Sequence, residues 1–273
     1  SGRCGPVRYF DLDTVKERIL ILANSGTRTV KFVDRTFNAN KERAADILTF
    51  ILQNYGTKIP EGVCFHFEIA GDILDERLFS IIASAPKGAF KFEIGIQSFD
   101  ERVLAAIYRK TDSAKLISNI KRLISFRNAH IHIDLIAGLP FGDFASVEKD
   151  FNIAFALKAD MLQFGFLKIL HGAPIQEELE RFGICYSEKA PYEVLSTNWL
   201  REQELLELHK FEETLKRVYN RGAFKDTLEE WMKKSGKTPF RFFYDFRNQV
   251  QKGMQLVELR KELLQYCGED CKM

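Results

Sequence analysis

The stretch Phe90–Ser98, FKFEIGIQS, decides how this chain folds. Phe92, Ile94 and Ile96 fall on one side of an extended segment; Glu93, Gly95 and Gln97 fall on the other. A strand buried on both faces of a parallel sheet reads as a continuous apolar run. This one alternates, and it ends on Gln97 and Ser98, two side chains that want hydrogen bonds.

Its neighbours repeat the pattern. In Phe65–Ile69, Phe65, Phe67 and Ile69 oppose His66 and Glu68. Further along, Ile131, Ile133 and Leu135 oppose His130, His132 and Asp134, and Leu162, Phe164 and Phe166 oppose Gln163 and Gly165. The segment VKFVDRT is a further strand whose parity is ambiguous. Between these strands lie helical patterns, among them DLDTVKERILILANSG, NKERAADILTFILQNYG and DSAKLISNIKRLISF, with Asp caps at their starts or Gly at their ends. Strand and helix alternate through five strands, which predicts a parallel sheet with right-handed crossovers. From about Pro174 the pattern turns to helices, the clearest being LREQELLELHKFEETLKRVYN. The expected organisation is α/β: a partial (β/α) TIM-like barrel over 1–173 and a helical C-terminal region over 174–273.

The apolar face of each strand must pack on the helices, so the polar face lines the concave side. A closed eight-stranded barrel fills its interior with branched apolar side chains. Uncompensated burial of Glu, His, Gln and Asp would be costly. An open or partial barrel with a wet, ligand-binding interior resolves this. Ligands in βα architectures sit at the C-terminal ends of the strands. Those ends are Asp34 to Thr36, Glu68, Gln97 with Ser98, Asp134 to Gly138, and Lys168 to Gly172.

Bulk properties exclude some classes. A net charge of +2 gives no general attraction to nucleic acid or to an acidic membrane, and no apolar run approaches the ~20 residues of a membrane helix. Five scattered cysteines (Cys4, Cys64, Cys185, Cys267 and Cys271) make no disulfide framework, so a reducing cytoplasm is expected. His130, His132 and Asp134 share a strand face, but positions i and i+4 lie ~13 Å apart, too far for one metal ion to join all three. Hydrogen-bonded interior histidines are expected instead. The aromatic run PFRFFYDF is expected to anchor the helical tail.

Five pieces, VKFVDRTFN, HFEIAGDIL, FEIGIQSFD, IYRKTD and IDLIAGLPFGD, come in order on consecutive strand ends. In that order they resemble the radical SAM superfamily, specifically its members with a cobalamin-binding domain. They are also similar to the oxygen-independent coproporphyrinogen dehydrogenases. The resemblance covers roughly residues 6–175. It implies S-adenosylmethionine across the strand tips, with Glu68 holding its amino group, Gln97 the methionine portion or ribose, Arg109 the carboxylate and Asp134 the ribose hydroxyls. Ser98 shares the strand end with Gln97, and Gly138 would shape the turn beside the adenine. Asp34 stands in for a glycine-rich stretch that many relatives carry. Lys168 and His171 are candidates for touching a small-molecule substrate.

The superfamily's C-x3-C-x2-C motif, which holds a [4Fe-4S] cluster through thiolates, is missing from this sequence. The resemblance places that motif just before a segment like GPVRYFDLDTVKE. The expectation is therefore a truncated core, lacking the first strand and the cluster loop, and inactive as it stands. In the full-length protein the resemblance implies reductive cleavage of S-adenosylmethionine to a 5′-deoxyadenosyl radical and hydrogen abstraction from substrate. The overall reaction would be an oxidoreduction or, with cobalamin bound upstream, a methyl transfer or cyclisation. Two rivals remain at this point: a partial barrel that binds a phosphorylated metabolite, and a cluster-less binding or regulatory module.

Overall fold

In the computed structural model, which describes residues 7–251 and 253–267, five strands form one parallel sheet in chain order. They are β1 (Thr29–Lys31), β2 (Cys64–Ile69), β3 (Phe90–Gln97), β4 (His130–Ala137) and β5 (Met161–Phe166). Val30 sits opposite Phe65, and Phe65 opposite Phe90. Because spatial order follows sequence order, every helical connection advances the sheet by one strand in the same direction, as a barrel wall requires.

The helices of this part are α1 (Leu12–Ala23), α2 (Lys41–Asn54), α3 (Glu76–Ala83), α4 (Glu101–Ala106), α5 (Ser113–Ser125) and α6 (Phe144–Ala156). Their starts follow one chemical rule. Asp11, Asn40, Asp75, Asp100 and Asp112 each cap a helix by accepting from a backbone N–H of its first turn. The helical C-terminal region comprises α7 (Leu179–Phe182), α8 (Glu202–Leu215), α9 (Lys225–Ser235), α10 (Pro239–Phe246) and α11 (Leu256–Tyr266). It also holds one antiparallel pair, β6 (Cys185–Tyr186) with β7 (Val194–Ser196), too short for alternation to reveal it in the sequence.

Two compact units interleave along the chain. One is Ser1–Gln97, Tyr108–Asp134 and Leu157–Leu162; the other is Ser98–Ile107, Leu135–Ala156 and Gln163–Met273. In the first, Phe65, Phe67, Phe90 and Phe92 are wholly buried, and Phe67 stacks on Phe92 at 5.8 Å between ring centroids. The polar positions of β3 (Lys91, Glu93, Gly95 and Gln97) are half-buried between fully buried apolar neighbours, the alternation that the sequence predicts. In the second unit, Phe151 of α6 meets Phe211 of α8 at 4.8 Å and Phe240 of α10 at 5.8 Å. Phe240, Phe242, Phe243 and Phe246 are all buried, so the aromatic run of α10 is a packing motif. It docks on α6 with polar help: Asn152 Oδ1 accepts from the Phe240 N–H at 2.9 Å, and Arg241 forks onto Glu148 at 2.8 and 2.6 Å.

Cys64 and Cys185 carry free thiols; Cys4 and Cys271 lie outside the described residues. Among the described residues no helix is long and apolar enough to cross a membrane.

Candidate functional site

The polar faces of β1 to β4 bring a compact set of ionisable side chains together in the first unit. Glu68 and Glu93 are register partners on β2 and β3, so two carboxylates stand side by side. Lys31 of β1 separates their charges: its Nζ lies 3.0 Å from Glu68 Oε1 and 3.3 Å from Glu93 Oε2. These two carboxylates raise the Lys31 pKa above its ordinary value, the hydrogen bond to Glu68 being the largest cause and burial opposing it. His66 Nε2 stands 3.0 Å from Glu93 Oε2. Burial pushes the His66 pKa down, and Lys91 and Lys31 add to the effect, so this imidazole is neutral near pH 7. Burial alone would raise the Glu93 pKa. His132, Lys31 and His66 outweigh it and hold the carboxyl below the usual range. On β4, His132 Nε2 lies 2.8 Å from Asp134 Oδ1.

A second group lies at the end of β3. Gln97 is in the left-handed region, with φ of +70°. For a residue with a Cβ that backbone costs about 1–3 kcal/mol and marks a site where the surroundings enforce it. Its side chain folds back along the strand over Gly95. A Cβ on Gly95 would stand 2.3 Å from Gln97 Nε2 and 3.5 Å from Arg109 Nη1. Glycine at 95 is thus the condition for this arrangement. Gln97 Oε1 is buried without a hydrogen-bond partner. Arg109 follows Tyr108, another left-handed residue, and its guanidinium donates to the Gly95 carbonyl and, at 3.2 Å, to Thr111 Oγ1. Burial pulls the Arg109 pKa below its ordinary value, while Asp72 and Asp134 act in the opposite sense. The β3 tip therefore presents an unused amide acceptor beside a half-buried cation. Such a pair can take the amino and carboxylate ends of a zwitterion.

Glu68, Gln97, Arg109 and Asp134 all belong to this unit. Asp34 is exposed; with Lys31 and Val33 it lines a cavity of about 600 Å³ beside β1, walled by Val30, Phe37 and Ile47. Ser98, Gly138, Lys168 and His171 fall in the other unit. Ser98 is buried: its hydroxyl donates to Asp150 Oδ2 at 2.5 Å and accepts from the Asp100 N–H at 3.0 Å. That ties Ser98 to α6 and supports the cap of α4. Gly138 has φ of +84°, a backbone that suits glycine, and a Cβ there would stand 3.6 Å from Val194 Cγ1 and 3.7 Å from Leu167 Cβ. Lys168 and His171 are exposed, and Lys168 pairs its backbone with Glu193.

Lys31 is the site residue that the sequence reading left out. Its signal was present in the alternation of TVK once Val30 is taken as the buried position. The cross-strand use of Glu93 was equally hidden, because it depends on register between β2, β3 and β4.

Comparison with known proteins places the chain as follows. The family model described as the radical SAM superfamily matches residues 2–152, and one described as a protein of unknown function (DUF4080) matches residues 180–269. Anaerobilin synthase of Escherichia coli O157:H7 is 28% identical over 137 residues, which cover 50% of this chain and 31% of that protein. Among solved structures, the radical S-adenosylmethionine methyltransferase TsrM of Kitasatospora setae, with cobalamin and a [4Fe-4S] cluster bound, aligns with a TM-score of 0.57 at 16% identity. It covers 70% of this chain and 38% of its own. Coproporphyrinogen III oxidase (HemN) of Escherichia coli aligns with a TM-score of 0.54 at 16% identity, over 76% of this chain and 44% of its own. The chain spans about a third of the length of the curated relative it matches.

Proposed function

Since the chain belongs to the radical SAM superfamily, we propose that it is the S-adenosylmethionine-binding portion of a radical SAM iron–sulfur enzyme. The observation that carries this reading is the β3 tip: the orphaned Gln97 Oε1 beside the Arg109 guanidinium, in a space that exists only because residue 95 is glycine. A buried acceptor without a partner costs about 1–3 kcal/mol, and a ligand donor would recover that. S-adenosylmethionine has donors for it and a carboxylate for Arg109.

The cofactor pair supplies the hard chemistry when bound: a reduced cluster cleaves S-adenosylmethionine to a 5′-deoxyadenosyl radical. This sequence has no C-x3-C-x2-C set among its five cysteines, so no step involving the cluster is assigned to its residues. Its own residues bind and orient. Arg109 pairs with the carboxylate of the methionine end, and Gln97 Oε1 accepts from an N–H or O–H of the methionine portion or ribose. Glu68 holds the amino group once Lys31, its present partner at 3.0 Å, turns away. Asp134 accepts from the ribose hydroxyls. Asp34 is exposed beside β1. Lys168 and His171 are exposed and available to a substrate. Cobalamin in the full-length protein would make methyl transfer or cyclisation the reaction that follows.

The experiment is to reconstitute the full-length natural protein anaerobically with iron and sulfide, reduce it, and record its EPR spectrum with and without S-adenosylmethionine. A reduced [4Fe-4S] signal that shifts on adding S-adenosylmethionine, and does not shift in Arg109→Gln, is the expected result. A correctly folded protein that takes up no cluster would overturn the proposal.

A further inference from the structure

Three histidine and carboxylate groups, of which the cofactor reading uses only Asp134, stand close together inside the first unit. Glu93 of β3 and His132 and Asp134 of β4 place ligand atoms within 4.8 Å of one another. His66 of β2 reaches the same Glu93 carboxylate at 3.0 Å. His132 is 5% exposed and His66 8% exposed. Yet both ring nitrogens of His132, Nε2 of His66 and Oδ1 of Asp134 are buried without a hydrogen bond. The pairs are close in distance, 2.8 Å for His132 to Asp134 and 3.0 Å for His66 to Glu93, yet His66 Nε2, His132 Nε2 and Asp134 Oδ1 carry no hydrogen bond. Orphaned atoms of this kind cost about 1–3 kcal/mol each, and histidines that merely completed a core would be turned to avoid that.

We propose that Glu93, His132 and Asp134, with His66 as a fourth donor, form a binding site for one divalent first-row transition-metal ion. Metal–ligand bonds of roughly 2.1 Å put neighbouring donors about 3.0 Å apart in octahedral and about 3.4 Å apart in tetrahedral geometry, and the observed 2.8 and 3.0 Å lie near the octahedral value. Two imidazoles with two carboxylates suit zinc, iron or manganese rather than magnesium or calcium, which prefer all-oxygen shells. The donors come from three strands of one sheet, so their spacing is set by rigid elements. Lys31 shares this carboxylate, its Nζ lying 3.3 Å from Glu93 Oε2 and 3.0 Å from Glu68 Oε1, so metal binding shifts the ammonium onto Glu68 alone. The site is independent of the cofactor reading except at Asp134. There Oδ1 is turned to His132, and Oδ2 remains for a ribose hydroxyl.

The test uses the 273-residue chain after treatment with a chelator. Co2+ is titrated in and followed by its visible ligand-field absorption and by calorimetry, and Zn2+ is then added as competitor. The expected result is one Co2+ per chain, displaced by Zn2+, with a thermal midpoint that rises on loading. His132→Gln and Glu93→Gln should each weaken binding by more than the ~10–100-fold that loss of an outer-shell partner costs. His130→Gln, altered at the exposed start of β4, should bind as the parent does. Far-UV circular dichroism of the metal-free variants shows whether each is folded, and Glu93→Gln serves if His132→Gln is not. Equal, weak Co2+ uptake by the parent and both folded ligand variants would overturn the site. The cofactor reading is decided separately, by the cluster EPR of the full-length protein: metal uptake by the chain with no S-adenosylmethionine-dependent EPR shift refutes only the cofactor reading, and the converse refutes only the metal site.

Discussion

Replacing Gly95 with alanine separates a site role for Gln97 from a structural one. Gly95 has an ordinary backbone conformation, so alanine brings no φ strain. In a strand interior the change by itself favours the fold by about 0.5–1 kcal/mol, because glycine loses the most freedom on folding. The added Cβ would nevertheless lie 2.3 Å from Gln97 Nε2, and that amide must retreat by about 1 Å to reach ordinary contact. The atom in the way is the far end of a flexible side chain, so the retreat costs the fold little. Arg109 Nη1, at 3.5 Å, can stay where it is. The expected result is a urea midpoint within about 1 kcal/mol of the parent and a weaker hold on S-adenosylmethionine. Losing one neutral hydrogen bond costs about 0.5–1.5 kcal/mol, or roughly three- to tenfold in Kd. Equilibrium dialysis against the cluster-loaded full-length protein measures the affinity. An unchanged Kd in a fully folded Gly95→Ala protein would refute the placement of Gln97 at the ligand. A loss of 3 kcal/mol or more in stability would refute the claim that the Gln97 side chain moves cheaply.

Lys31→Met removes the ammonium that now neutralises Glu68. The pair is half-exposed and contributes about 0–1 kcal/mol, so the fold should hold while S-adenosylmethionine binds up to about fivefold tighter; weaker binding would show that Glu68 does not meet the ligand's amino group. Phe151→Ala leaves a hole among Phe155, Phe164, Phe211, Phe240 and Phe243 and should cost about 3–5 kcal/mol by urea denaturation, a loss below 1 kcal/mol being incompatible with the packing described. Asp150 has its pKa raised by burial, against the hydrogen bond from Ser98. Its folded form therefore holds the proton more tightly than its unfolded form, and the stability this gives is complete below the unfolded pKa near 3.8 and is lost as pH rises through the folded one. Asp150→Asn should flatten that decline, so its thermal midpoint should gain on the parent between pH 4 and 7; parallel curves would refute the shift.

The parts of this molecule that the sequence discloses are those fixed by local periodicity. Alternation at Phe92, Ile94 and Ile96 set the faces of β3, and the same rule put Glu68, Gln97 and Asp134 on the half-buried face opposite the apolar one. The cap at Asp11 was legible because capping chemistry acts within three residues, whereas α4 is capped by Asp100 and not by Ser98. What stayed hidden depends on register, which no single strand encodes. Considered along one strand, His130, His132 and Asp134 are too far apart to share an ion, and that argument still holds for His130, which is exposed. Adjacent strands lie only about 4.8 Å apart, however, so Glu93 enters from β3 to complete a set that β4 alone cannot form. Lys31 was hidden for the same reason: a three-residue strand is too short to declare its parity, and only its pairing with His66 shows that it faces Glu68 and Glu93. The left-handed Gln97 is the remaining case. Glycine is the usual residue at such a φ, yet here the glycine stands two positions earlier, at 95, where it makes room for the glutamine side chain instead of for the backbone. A local rule that looks for glycine at the strained position misses it, because the constraint that selects this pair acts on side-chain space above the strand.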